Sequence, residues 1–123
     1  MHPDPRVLLA AVEQAGEAIE HFTDGMDQAA CASDFRTQAA VERKFEIIGE
    51  ALNILSTSDP ELAERVPWIR KIINFRNLLF HGYSSVTPER VWNYAKNPLP
   101  QLRQIAQTPI AELGRPKHEQ DDC

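Results

Sequence analysis

The sequence predicts an all-α protein, an antiparallel bundle of four to five helices that forms a homodimer. Three observations predict it. Apolar residues at 41, 45, 48, 52 and 55 repeat at 4-3-4-3 spacing, the period of a bundle seam. A proline follows a capping residue at Asp4-Pro5 and Thr87-Pro88, the pattern of a helix start. Only five glycines interrupt 123 residues, too few for the tight turns of an all-β chain. The apolar stripes are wide for so short a chain, which predicts that one of them is covered by a second copy.

The first helix is expected from Asp4 to Phe22, with Asp4 as cap and Pro5 as first helical residue. Val7, Leu8, Ala11, Ala15, Ala18, Ile19 and Phe22 form its expected apolar face, and Glu13, Glu17 and Glu20 its wet side. Thr23-Asp24-Gly25 stops it. The second helix is expected from Ser33 or Asp34 to Leu55, carrying Val41, Phe45, Ile48, Leu52 and Leu55 inward. Glu42, Glu46 and Glu50 form a second stripe at four-residue spacing. Gly49 lies inside this helix, where glycine costs about 1 kcal/mol against alanine. Close approach of another helix is one reason to keep it.

Pro60 is expected to open a short helix after the Ser56–Asp59 turn, and Pro67 to open a third main helix. Trp68, Ile72, Phe75 and Leu79 share one stripe of that helix. Ile69, Ile73, Arg76 and Phe80 share the next, so Arg76 falls on a largely apolar face. Gly82 is the expected stop, with His81 in the last turn. Thr87 and Pro88 start a fourth helix, which continues through Val91, Ala95, Leu102, Ile105 and Ala106. Pro98 and Pro100 predict a kink or break in it. A single domain is expected over residues 1–113, followed by a polar tail over 114–123.

Composition narrows the function classes. Hydrophobic residues make up 42% and charged residues 25%, as in ordinary globular domains. No apolar run approaches the roughly 20 residues of a membrane span, and the N-terminus lacks the basic and apolar regions of a secretory signal. Cys31 and Cys123 show no metal or disulfide spacing, so a cytoplasmic setting is expected. Cys31 is read as lying in a small-residue loop with nothing nearby to activate it. The net charge of −5, taken alone, disfavours a nucleic-acid binder, and no DNA partner is expected. The charge is segregated, however: residues 1–64 carry a net −9, whereas residues 65–88 hold no acid and four cations, Arg65, Arg70, Lys71 and Arg76. Such a stretch serves an anionic partner or complements acidic helices within the fold.

There is no glycine-rich phosphate loop, CxxC or HExxH, so no metal or cofactor is expected. His2, His21 and His118 stand alone. What remains is the run from Arg76 to Tyr83. Arg76 is permanently charged and suits phosphate. His81, five residues on and about 1.5 helical turns away, can carry protons near neutral pH. Tyr83 adds a phenol. RNA cleavage needs such groups and no metal: a base for the 2′-hydroxyl proton, a cation for charge growing on phosphorus, an acid for the leaving 5′-oxygen. A structural reading stands beside this one. Arg76 would pair with Glu46 or Glu50, His81 would suit the helix C-terminus, and Tyr83 would pack after the turn.

Arg76, His81 and Tyr83 match the Arg-x4-His-x-Tyr motif, and the chain resembles the HepT-type toxins of the HEPN superfamily. Glu46-Ile47-Ile48-Gly49-Glu50-Ala51 is similar to the family's second-helix signature. Pro67-Trp68 with Ile72 resembles the run into the motif helix, and Val91-Trp92 with Leu99-Pro100 its last helix. The resemblance covers about residues 5–107. It implies a homodimeric helical bundle with a composite cleft and metal-independent endoribonuclease activity on RNA. By the same resemblance, Arg76 engages the scissile phosphate, His81 is general acid or base, and Asn77 supports the cleft. It further implies an antitoxin partner, an MntA-type nucleotidyltransferase that transfers AMP to Tyr83 and so blocks RNA by charge and bulk. Gly82 departs from the family, which often has an acidic residue there to orient the histidine. The alternative of another class is a non-catalytic, nucleotide-binding or substrate-presenting partner of a nucleotidyltransferase.

Overall fold

The computed structural model describes residues 3–82 and 86–113. Among these the chain is helical: α1 (Pro5–Phe22), α2 (Gln28–Ala32), α3 (Phe35–Ser58), α4 (Pro60–Ala63), α5 (Ile69–His81), α6 (Pro88–Lys96) and α7 (Pro98–Gln107), then a 3-10 turn at Ile110–Glu112. The segments outnumber the expected four or five because two are very short and the fourth main helix is broken. Asp4, Asp27, Asp34, Asp59 and Thr87 each cap a helix by accepting a backbone N–H with the side chain, satisfying donors that otherwise lack a partner.

The long helix α3 is the central element, packed against α1, α2, α4, α5 and α6. Its seam is where the periodicity puts it: Val41, Phe45, Ile48, Leu52 and Leu55 are all at most 1% exposed. From the other side come Ile72, Phe75 and Leu79 of α5, Val91 and Tyr94 of α6, and Leu99 and Leu102 of α7. Phe45 meets Phe75 edge-on with ring centres 5.4 Å apart, and Phe75 stacks on Tyr94 at 4.1 Å. Aromatic pairs of this kind contribute roughly 0.5–1.5 kcal/mol beyond area burial. The pairings Phe45 with Phe75 and Gly49 with Ile72 run in opposite chain directions, so α3 and α5 are antiparallel.

Five expectations need correction. The buried face of α1 is Leu8, Leu9, Val12, Ala15, Gly16 and Ile19, rotated from the expected stripe, and Val7 is 63% exposed. Glu13 is not on the wet side: it takes two hydrogen bonds from Arg103, at 2.6 and 3.1 Å. Helix α5 starts at Ile69 rather than Pro67, because Trp68 adopts a left-handed φ of 67° that no helix continues. Cys31 lies in α2, not in a loop, and is buried. Helix α3 also runs past Leu55, to Ser58, with the Ser58 hydroxyl donating to the Ile54 carbonyl. The break at the two prolines is real. It falls at Asn97, between α6 and α7.

Gly49 explains itself in this packing. A Cβ there would collide with the Arg76 Cβ and stand 2.7 Å from its Cγ. Alanine is the better helix former by about 1 kcal/mol, so the sign of Gly49→Ala decides which effect governs. We expect net destabilisation by about 1–3 kcal/mol, since the atom it meets is next to the α5 backbone and overpacking costs that much. Urea denaturation read by circular dichroism measures it, and a gain in stability would refute the close crossing.

Candidate active site

Arg76 owes its position to the α3–α5 crossing. The absent side chain at Gly49 lets the base of Arg76 lie against α3, and the guanidinium then turns along the helix pair. It makes an ion pair with Glu50 and donates to the Asn77 side-chain oxygen at 2.8 Å. It also lies 4.2 Å from the centre of the Phe80 ring, one turn on, an attraction between cation and ring face. The Arg76 side chain is only 18% exposed. Its Nε is buried and has no hydrogen-bond partner among the described residues. Three neighbours therefore hold a cation in an apolar helix face while one donor is left unmatched, which is unusual for a buried polar atom.

Of the sequence-level candidates, Arg76, Asn77 and His81 share α5. Asn77 is exposed and adjoins the guanidinium; His81 is exposed in the last turn. Helix α5 ends there because Gly82 takes a left-handed φ of 62°, a conformation glycine adopts without strain. That turn gives Gly82 a backbone reason to stand at this position. Tyr83 lies outside the described residues, as do His2, His118 and Cys123. His21 is exposed in the last turn of α1.

The acidic stripe of α3 is divided. Glu50 takes Arg76, Glu46 takes Arg43 at 3.3 Å, and Glu42 lies further along, bordering a recess with Leu79, Gly82 and Val86. Burial, and then the negative charge of Glu46, push the Glu42 carboxyl above its ordinary value of 4.5. Beside Arg43, Glu46 and Glu50 runs an apolar groove of about 330 Å³, floored by Ile47 and Ile54 and flanked by Leu8 and by Phe80, itself 53% exposed.

Sequence reasoning missed a second half-buried arginine. Arg103 on α7 is bidentate to Glu13 and also meets Glu20 at 2.7 Å. Its Cγ stands 2.7 Å from where a Gly16 Cβ would be. The signal was Gly16, inside α1 as Gly49 is inside α3. Cys31 is no nucleophile: desolvation first, then Asp34, raises its thiol against the opposing pull of Lys96. Among the described residues, no three histidine, cysteine or carboxylate side chains are grouped to hold a metal ion. No helix there is long and apolar enough to cross a membrane.

Residues 12–108 match the family described as Ribonuclease HepT-like. The chain belongs to the HepT-like ribonuclease family. A protein named as a probable ribonuclease HepT, from Thermococcus cleftensis, is 34% identical over 99 residues, 77% of this chain and 86% of its own. One named as a putative RNase, from Methanocaldococcus jannaschii, is 30% identical over 96 residues, 78% of this chain and 86% of its own. Another from that organism, named as a gamma-glutamylcyclotransferase and putative RNase, is 29% identical over 122 residues; the match takes 96% of this chain but 53% of that longer one. No solved structure matches. The family span contains Arg76, Asn77, His81 and Tyr83, so the site described above lies within the segment that carries the family likeness.

Glu42 gives a pH prediction. Its raised carboxyl means the folded state holds a proton that the unfolded state releases. Its favourable contribution is therefore present below the ordinary value of 4.5 and is lost as pH rises through the higher folded value. Glu42→Gln should be more stable than the parent at pH 7, with the difference vanishing in acid. Melting temperatures from pH 4 to 8 check this, and a pH-independent difference would contradict it.

Proposed function

We propose that this chain is a metal-independent endoribonuclease toxin, acting as a cytoplasmic homodimer and neutralised by an MntA-type nucleotidyltransferase that adenylylates Tyr83. The observation that carries the reading is the cation of α5. Arg76 is sunk in the helix face, held by Glu50, Asn77 and Phe80, and His81 is exposed at the end of the same helix. The family span includes both.

In the proposed reaction a base removes the 2′-hydroxyl proton and that oxygen attacks the adjacent phosphorus. The bond to the 5′-oxygen breaks, and an acid returns a proton to it. The products are a 2′,3′-cyclic phosphate and a free 5′-hydroxyl. His81 serves as base or acid. The guanidinium of Arg76 offsets charge on the phosphoryl oxygens in the transition state, and Asn77 supports it through the bond they share. Two copies of α5 in a homodimer supply two histidines, one for each proton transfer. The groove beside Phe80 and Ile54 supports dimerisation, because an apolar strip next to the site gains from being covered.

The Arg76–Glu50 pair also supports the structural reading, in which the arginine serves the fold. The test must therefore use the exposed residue. With excess EDTA present, the parent should cleave mixed RNA, while His81→Ala should be slower by about 10²-fold or more and remain folded by circular dichroism. Cleavage by His81→Ala at the parent's rate would sink the catalytic assignment. Arg76→Ala should lose activity and also some stability, since it removes a side chain only 18% exposed together with its contacts to Glu50, Asn77 and Phe80.

Modification is tested separately. When the unmodified protein is incubated with the cognate nucleotidyltransferase and ATP, mass spectrometry should place AMP on Tyr83. Tyr83→Phe should still cleave RNA yet escape neutralisation. Neutralisation of Tyr83→Phe as efficient as that of the parent would rule out the tyrosine as acceptor.

A further inference from the structure

A second concave site lies at the other end of α5 from His81. It has a volume of about 320 Å³ and is lined by Trp68, Lys71, Arg90, Asn93, Tyr94 and Asn97, with Pro98 at its edge. Every charged residue in that lining is a cation. Trp68 is 42% exposed, although it is a residue type usually hidden. Its ring is fixed at three points. The backbone is held at a φ of 67°, in the left-handed region that bulky residues rarely enter. The indole N–H donates to the Gln101 side-chain oxygen at 2.8 Å. The Lys71 ammonium sits 5.4 Å from the ring centre. Lys71 itself has no carboxylate within ion-pair distance among the described residues. A strained backbone that persists while exposing an aromatic ring is a feature found at ligand sites.

We infer that this cavity is a subsite for one nucleotide of a single-stranded RNA, its base stacked on Trp68 and its phosphate met by Lys71 and Arg90. The inference rests on the ribonuclease reading and adds to it a place for substrate away from the scissile bond. Aromatic faces and cations in one groove are how proteins hold single strands without reading sequence. The amides of Asn93 and Asn97 add both donors and acceptors for a base edge. The charge pattern agrees: the acid-free stretch 65–88 includes Trp68 and Lys71 as well as Arg76 and His81. Trp68 and Arg76 are eight residues apart, about 12 Å along α5. The subsite is thus a neighbour of the candidate active site and not a part of it.

The test is binding of fluorescein-labelled 2′-O-methyl oligouridine, which lacks the attacking hydroxyl, followed by anisotropy with the intact parent protein. Trp68→Leu should weaken binding by about fivefold or more, the lower range for losing one stacked base, and Trp68→Phe should restore most of it. Lys71→Ala, at an exposed position, should weaken binding and lower the salt slope of the affinity by about one. Unchanged affinity in both Trp68→Leu and Lys71→Ala overturns the subsite, as does absence of binding by the parent. Free AMP bound with no oligonucleotide binding also overturns it, making the cavity a mononucleotide site. Cleavage of ordinary RNA by the same preparation reports separately on the ribonuclease reading. Cleavage with binding untouched by the variants leaves that reading standing and removes the subsite. Variant-sensitive binding without cleavage does the reverse.

Discussion

The close crossing of α3 and α5 at Gly49 is the constraint on which the rest depends. A side chain at residue 49 would collide with the base of Arg76, so α5 or the Arg76 side chain would have to shift. The Arg76–Glu50 pair and the rings of Phe45, Phe75 and Tyr94 lie at this crossing and are built on its present spacing. Packed cores do not absorb such shifts gradually. The glycine's helix-propensity penalty is therefore offset by a contact that positions both the aromatic core and the cation. Buried packing and the candidate site share one geometric cause.

The same device appears on the opposite side of the bundle, with a different outcome. Gly16 on α1 admits Arg103 from α7 as Gly49 admits Arg76. Arg103 is answered by two carboxylates, Glu13 and Glu20, with bonds filling its fork. Arg76 has a single carboxylate, a neutral amide and a ring face, and an unmatched Nε. Two equally sunken arginines thus differ in how completely the protein neutralises them. Arg103 is a satisfied strut. Arg76 is neutralised less completely, with one buried donor unmatched.

Much of this was legible in the sequence, and the legible part has a physical reason. The α3 seam is buried on every side, so its period is strict and its five residues could be named in advance. Caps at Asp4 and Thr87 were readable because they act within a few residues of chain. Gly49 was readable as a close approach, and Glu50 was one of two partners that periodicity allowed for Arg76. The failures are tertiary. Val7 and Leu9 are equally apolar, and only the placement of α3 and α7 decides that Leu9 turns inward. The Arg103–Glu13 pair joins residues 90 apart, beyond any local pattern. The start of α5 slipped by two residues because proline usually opens a helix, while here the left-handed turn at Trp68 intervenes.

That turn bears on how the site works as a whole. A helix begun at Pro67 would carry Trp68 on the stripe of Ile72, Phe75 and Leu79, all of which are buried. The left-handed residue breaks the stripe before the indole joins it, and the ring stays at the surface beside Lys71. At the other end of the same helix, the left-handed turn at Gly82 stops α5 immediately after His81. Two backbone reversals thus bound thirteen residues and fix what each end presents: an aromatic ring with a cation at one, an imidazole at the other, and Arg76 between them. Helix α5 is held to α3 along its middle by apolar packing and by the Gly49 contact, so its ends are set by a rigid element and not by loops. An anionic chain lying along such a helix would meet groups in fixed order and spacing. On the proposed ribonuclease reading that order matters more than net charge, because the cations act locally within an acidic protein.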